Sequence, residues 1–261
     1  MGKFIKIPLP IMNATADNPA AAVSSTTTGA VTGKLTDSGQ TFTSSVSVGD
    51  IVFPGGSAST VYATVSAIDS DTALTLGGDA AAIALLDNNT QAYKIFTVAN
   101  AKSLVSSAGG FSTNVKPGDI VLNSTTGIEG KVTQVTSDTQ LLLDTILFND
   151  NGSDNAVVLS ADGNFGQLVN ISNIGQTLAF PGGAFTIGCS IAYKSKSTPI
   201  DDMAITISEA QADYNWYNAF TELIVEVLES DWKNVVKTMP YIKSPAGSTS
   251  PFLYATSITF A

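Results

Sequence analysis

Phe42-Thr43-Ser44-Ser45-Val46-Ser47-Val48-Gly49-Asp50-Ile51-Val52 aligns without a gap on Phe111-Ser112-Thr113-Asn114-Val115-Lys116-Pro117-Gly118-Asp119-Ile120-Val121. After a two-residue contraction the match resumes, with VSAIDSDTALTL at 65–76 lying on VTQVTSDTQLLL at 132–143. An ordered repeat of this length predicts two copies of one module, too few for a solenoid. Each copy reads as a meander of short strands. Gly49-Asp50 and Gly118-Asp119 are turn residues placed just before the β-branched pairs Ile51-Val52 and Ile120-Val121. Residues 61–68 and 131–135 alternate apolar and polar side chains, as half-buried strands do. Ser70-Asp71-Thr72 and Ser137-Asp138-Thr139 then make tight polar turns before Leu74/Leu76 and Leu141/Leu143 return to the core. Small β-barrel or sandwich modules of about 60 residues follow, arranged in tandem over 34–98 and 99–164.

On the N-terminal side, Ile5, Ile7 and Leu9 recur at every second position around Lys6 and Pro8, which predicts an edge strand over residues 3–12. Residues 13–33 are small and hydroxyl-rich and read as an extended arm. The start MGKFIKIPLPIM is too short and too interrupted for a membrane span or a signal peptide, and Lys6 stands where a myristoylation motif wants Ser or Thr. On the C-terminal side, from residue 165, strands broken by Gly and Pro turns lead to Ser208 and Gln211, a capping-box pattern. The expected helix spans about 209–230, with Trp216, Phe220, Leu223, Ile224, Val227 and Leu228 on one face and Glu222, Glu226 and Glu229 on another. The segments 233–239 and 252–260 return to strand-like alternation. The expected fold is therefore mainly β with one long amphipathic helix. Both chain ends form a small α+β unit, residues 165–261 with the 1–33 strand and arm, and this unit carries the inserted tandem pair.

Composition excludes several chemistries. The 261 residues are 44% hydrophobic and 13% charged, with 12 Lys, no Arg, no His and a net charge of −10. Without Arg or His the chain lacks the usual general base, the commonest metal ligand and the bidentate phosphate fork, and an acidic chain makes a poor nucleic-acid partner. Cys189 is the single cysteine and reads as a small apolar residue on a strand. Asp71 and Asp138 read as turn formers, since Ca²⁺ needs about six to eight oxygens. NDNGSDN at 149–155 lacks the spacing and terminal Glu of a calcium loop and reads as a hairpin loop. Glu222 and Glu226 read as a solvated helix face, and Ser195-Lys196 has no nucleophile context. No catalytic, cofactor-binding or metal residue is assigned. Tyr62, Tyr93 and Phe111 are the aromatics on which a carbohydrate-binding alternative would depend.

Three pieces stand together: the opening KFIKIP, the closing series MAITIS, helix, ESDWKNVV, and between them the duplicated VGDIV/PGDIV modules. This combination resembles virion structural proteins of tailed bacteriophages, especially marine ones. The resemblance implies a non-enzymatic component of the virion, most directly a capsid decoration, cement or minor capsid protein, with a tail or other virion component as the alternative. Its partners would be other virion proteins and copies of itself, with neither nucleic acid nor membrane in direct contact. No functional residue is carried over, because the pattern is structural.

Overall fold

The computed structural model describes residues 3–55, 61–148, 154–161, 166–170, 174–179, 189–194, 199–207, 213–229, 235–239, 242–243, 252–253 and 255–260, and among them the chain is mainly β. It opens with β1 (Lys3–Pro8), β2 (Pro10–Ala16), β3 (Val23–Thr26) and β4 (Lys34–Thr36), then a one-turn helix α1 (Phe42–Ser45). Next come β5 (Ile51–Pro54), β6 (Ala63–Ser70), β7 (Ala73–Gly78), α2 (Ala80–Leu86), β8 (Ala92–Phe96) and α3 (Val98–Ala101). The series β9 (Ser103–Val105), α4 (Phe111–Asn114), β10 (Ile120–Asn123), β11 (Ile128–Ser137), β12 (Gln140–Leu143) and β13 (Asp154–Leu159) follows. The C-terminal part holds β14 (Gly166–Asn170), β15 (Ile174–Ala179), β16 (Cys189–Lys194), β17 (Pro199–Ile207), α5 (Asp213–Glu229), β18 (Val235–Thr238), β19 (Ile242–Lys243), β20 (Phe252–Leu253) and β21 (Ala255–Phe260).

Two six-stranded antiparallel sheets dominate, with orders β3-β8-β5-β6-β7-β4 and β2-β13-β10-β11-β12-β9. Both curl until their edge strands meet. In the first, the Thr28 N–H donates to Thr36 O at 2.8 Å; in the second, Asp17 and Val105 exchange bonds of 3.0 and 2.7 Å. Closure of this kind removes the exposed edges that would otherwise template unwanted pairing.

The repeated residues sit at matching places in the two sheets. Ile51 pairs with Phe96 and Ile120 with Leu159; Leu35 pairs with Leu74 and Leu104 with Leu141. Gly49 and Gly118 adopt φ of +97° and +96°, a left-handed turn that a side chain would strain. The buried carboxylates that follow accept backbone N–H groups, Asp50 from Ser47 at 2.9 Å and Asp119 from Lys116 at 2.8 Å. Phe42 and Phe111 open α1 and α4 and are fully buried, their N–H groups donating to Asp71 O at 2.8 Å and Asp138 O at 3.0 Å. The first sheet encloses a core of Leu35, Phe42, Val52, Val65, Leu74, Leu86, Tyr93 and Ile95, all lying between residues 23 and 95.

Chain contacts divide the protein into two compact units, one of residues 1–13, 114–129 and 156–261, the other of residues 14–113 and 130–155. In the first unit β1 pairs antiparallel with β14 and parallel with β18, so Ile5 lies opposite Val169 and Lys237. Helix α5 packs against β1 and β18. A separate four-stranded sheet has the order β15-β16-β17-β21, and β19 pairs with β20.

Several expectations need correction. Residues 13–33 are not an arm: Asn13–Ala16 complete β2 and Val23–Thr26 form β3, each an edge strand of a six-stranded sheet. Small hydroxyl residues suffice at an edge because ladder hydrogen bonds, not side-chain burial, hold much of it. The six-stranded sheets consequently extend beyond the 34–98 and 99–164 bounds, and a simple tandem order is not what the chain follows. Residues 149–153 of the segment expected as a hairpin loop lie outside the described residues; the strands on either side of it do not pair with each other, since β12 neighbours β11 and β9 whereas β13 pairs with β10. Helix α2 was not expected; Asp79 caps it by accepting the Ala81 N–H at 2.7 Å, and Ala82 and Leu86 are buried one turn apart. In α5, Phe220 and Val227 are fully buried, but Leu228 is 52% exposed. It lies about 80° around the helix from Phe220, at the margin of the stripe. Ser208 and Gln211 fall outside the described residues, as does the side chain of Trp216.

Candidate functional site

The chemistry-bearing side chains of the two sheets are carboxylates, and the turns that hold them are built alike. Asp71 accepts from Thr43 Oγ1, and Asp138 accepts from Ser112 Oγ, from the Gly110 N–H at 3.0 Å and from the Ser112 N–H at 3.3 Å. The Ser112 hydroxyl first, and then the Gly110 and Ser112 N–H groups, hold the Asp138 carboxyl below the usual aspartate range. In each turn a serine Oγ accepts the N–H two residues on, Ser70 from Thr72 at 3.2 Å and Ser137 from Thr139 at 3.3 Å. Asp119 accepts a further bond from the Ala161 N–H at 3.0 Å. Asp69 is held low by the hydroxyl of Thr75 at 2.7 Å and by Lys34 at 3.0 Å. These carboxylates organise backbone. No group of three or more metal-ligating side chains occurs among the described residues.

One carboxylate lies inside a core. Asp37 is buried and accepts the Tyr93 hydroxyl at 2.8 Å and the Gly39 N–H at 3.0 Å. Burial pushes its carboxyl up, but hydrogen bonds from Ser25, Gly39, Tyr93 and Gln40 outweigh this and leave it below the ordinary range. Burial, and then the bond to Asp37, push the Tyr93 phenol far upward. The matching positions in the second sheet, read from the strand registers, are Ser106 and Ala156, both buried. The acid and the phenol are thus both present in one sheet and both absent from the other. A carboxylate retained without its donor would be a costly buried charge.

The aromatic residues considered for sugar stacking do not form an exposed row. Tyr93 and Phe111 are fully buried, and Tyr62 packs edge-on against Phe53 at 5.9 Å between ring centroids. Glu222 and Glu226 are exposed on α5. Asp150, Asn151, Ser195 and Lys196 lie outside the described residues, while Asp154 begins β13 and is buried. Cys189 begins β16, paired with Ile205.

An open surface occurs instead on the terminal three-stranded sheet. The alternation of β1 puts Ile5 and Ile7 on one face, both fully buried, and Phe4 and Lys6 on the other. Register places Val236 beside Phe4 and Leu168 beside Lys6 on that second face. Val236 is 56% exposed and Leu168 44%, with Phe4 and Lys6 half-buried between them. Sequence reading marked 233–239 as strand-like but gave no sign that Val236 would stay uncovered, because its neighbours come from residues over 230 positions away. No helix among the described residues is long and apolar enough to cross a membrane. Comparison of the chain with protein-family models, with curated proteins and with solved structures finds no match.

Proposed function

We propose that this chain is a non-enzymatic structural component of a tailed-phage virion, capsid-associated as a decoration, cement or minor capsid protein, and that it works through contacts with other virion proteins and with copies of itself. The observation that carries the proposal is the outer face of the β14-β1-β18 sheet. It presents exposed Val236 beside the half-buried Phe4, and exposed Leu168 beside Lys6, whereas Ile5 and Ile7 on the other face of the same strand are fully buried. Large apolar side chains left exposed on a folded sheet and rimmed by polar ones are the pattern of a protein contact surface. In support, the carboxylates described above each accept hydrogen bonds from backbone or side-chain groups of the chain itself. The two six-stranded sheets are read as copies of one β-module carried by the α+β unit, a supporting scaffold for surface display.

The test is incorporation. Particles are produced from a genome in which Val236 is replaced by Lys, and separately Leu168 by Lys, and the protein is quantified per purified particle. The expected result is at least about a tenfold loss, the effect of burying an unpaired charge in an apolar contact, with the thermal midpoint of the isolated protein unchanged. Undiminished incorporation of both variants removes this face from the assembly contact. A purified protein that never co-sediments with particles removes the virion assignment.

A further inference from the structure

All strands of the first six-stranded sheet lie in sequence between β2 and β9, and these are the two edge strands of the second sheet, which meet at Asp17 and Val105. The first sheet is therefore carried in a single connection of the second. Its entry and exit are adjacent: the Ala22 N–H donates to Ile95 O at 2.8 Å, and Val23 pairs with Ile95. Just below, the Asn18 side-chain amide donates to Ala101 O at 3.1 Å and Ser103 O at 3.2 Å, tying the outgoing strand of this neck to the returning one. The core of the first sheet is drawn wholly from residues 23–95. A second small cluster lies outside that core: Ile51, Phe53 and Phe96, on the outer face of β5 and β8, pack with Ala21, Ala101 and Ile146. The matching residues Ile120, Leu122 and Leu159 of β10 and β13 also form an apolar cluster.

We propose that residues 22–97 are a self-contained module inserted into the β2–β9 connection of the second repeat, and that the outer face of β5 and β8 is a docking surface whose partner is the Ala21/Ala101/Ile146 patch of that repeat. A chain segment whose ends lie side by side can fold within a host connection without distorting it. The apolar side chains on its outer face then fix its attitude to the host. The matching face of β10 and β13 is apolar as well. The inference stands independently of the virion assignment.

The test uses the full-length protein. Phe42 and Phe111 are the matching core residues, and Phe42→Ala should raise amide exchange in β6 and β7 by about 100-fold or more while leaving β11 and β12 within about threefold. Phe111→Ala should do the reverse; the milder Phe42→Leu and Phe111→Leu give the same reading if the alanine variants do not fold. Equal acceleration of both sets by either variant would show one cooperative unit and overturn the insertion. For the docking face, Ile146→Asp should speed tryptic cleavage after Lys102 and elastase cleavage at Ala20–Ala22 by about tenfold, equivalent to a local opening made easier by about 1.4 kcal/mol, with exchange in β6, β7, β11 and β12 unchanged. An unaltered cleavage rate overturns the docking surface, and so does a rise in exchange through both barrels.

Discussion

Replacing Tyr93 by Phe removes one oxygen from a filled core and leaves the ring. The lost hydroxyl donates at 2.8 Å to Asp37, which is buried and keeps its bonds from Ser25, the Gly39 N–H and Gln40. A hydrogen bond to a charged acceptor contributes about 1.5–3 kcal/mol, and the ring's packing is retained, so the cost at neutral pH should be about 2 kcal/mol. Changing Asp37 to Ser alone leaves the Tyr93 hydroxyl without its acceptor, and should also destabilise. The double change Tyr93→Ala with Asp37→Ser reproduces the Ala156/Ser106 pair, but it opens a cavity of nearly a whole ring and should cost about 3–5 kcal/mol. The assay is urea unfolding at fixed pH, repeated down the acid limb. Because the folded-state carboxyl of Asp37 lies below its ordinary value, its contribution is complete above the unfolded aspartate range and is lost as the pH falls through the folded value. Tyr93→Phe removes a group that lowers this value, so the acid loss from this carboxyl should be smaller and should be complete at a higher pH than in the parent. A Tyr93→Phe cost under about 0.5 kcal/mol, the size of a surface change, together with an unmoved acid limb, would refute the buried-pair account.

Phe220→Ala, at a fully buried position of α5, should cost about 3–5 kcal/mol in chemical denaturation, whereas Leu228→Ala, 52% exposed, should cost under about 1 kcal/mol. A Cβ added at Gly118 meets nothing within 4 Å, so Gly118→Ala isolates the left-handed backbone penalty and should lower stability by about 1–2 kcal/mol, with Gly49→Ala matching it; a neutral result at both would remove the argument for glycine in these turns. The Lys34–Asp69 ion pair is partly exposed, and the net charge is −10. Added salt screens repulsion more than attraction here, so the thermal midpoint in about 1 M NaCl should hold or rise. A marked fall would point to an ionic network.

The legible parts of the fold were those that local chemistry writes into the chain. Gly49 and Gly118 mark a left-handed turn, and Asp50 and Asp119 each accept an N–H from three residues back in the same turn. A repeat of such residues can be read by eye. Sheet membership is different, because Val23-Ser24-Ser25-Thr26 becomes a strand through pairing with residues 92–95, about seventy positions on. Nothing in those four small residues states which partner they take. The order of insertion was hidden for the same reason: β2 is an edge of the second sheet only because residues 154–159 lie beside it. Tyr93 and Phe111 have the side chains of a sugar platform, and burial, a tertiary property, makes them core.

The meeting of β2 and β9 at Asp17 and Val105 has a mechanical consequence. Tension applied between the chain ends travels through β2 into that pairing and onward through β9, so while the Asp17–Val105 bonds hold, the segment from residue 22 to residue 97 carries no load. A pull on the two termini must first break the Asp17–Val105 pairing before the neck is stretched and the inserted sheet feels force. Extension in a single-molecule experiment should accordingly be ordered, with the length stored in residues 22–97 released last, although in the chain it comes almost first.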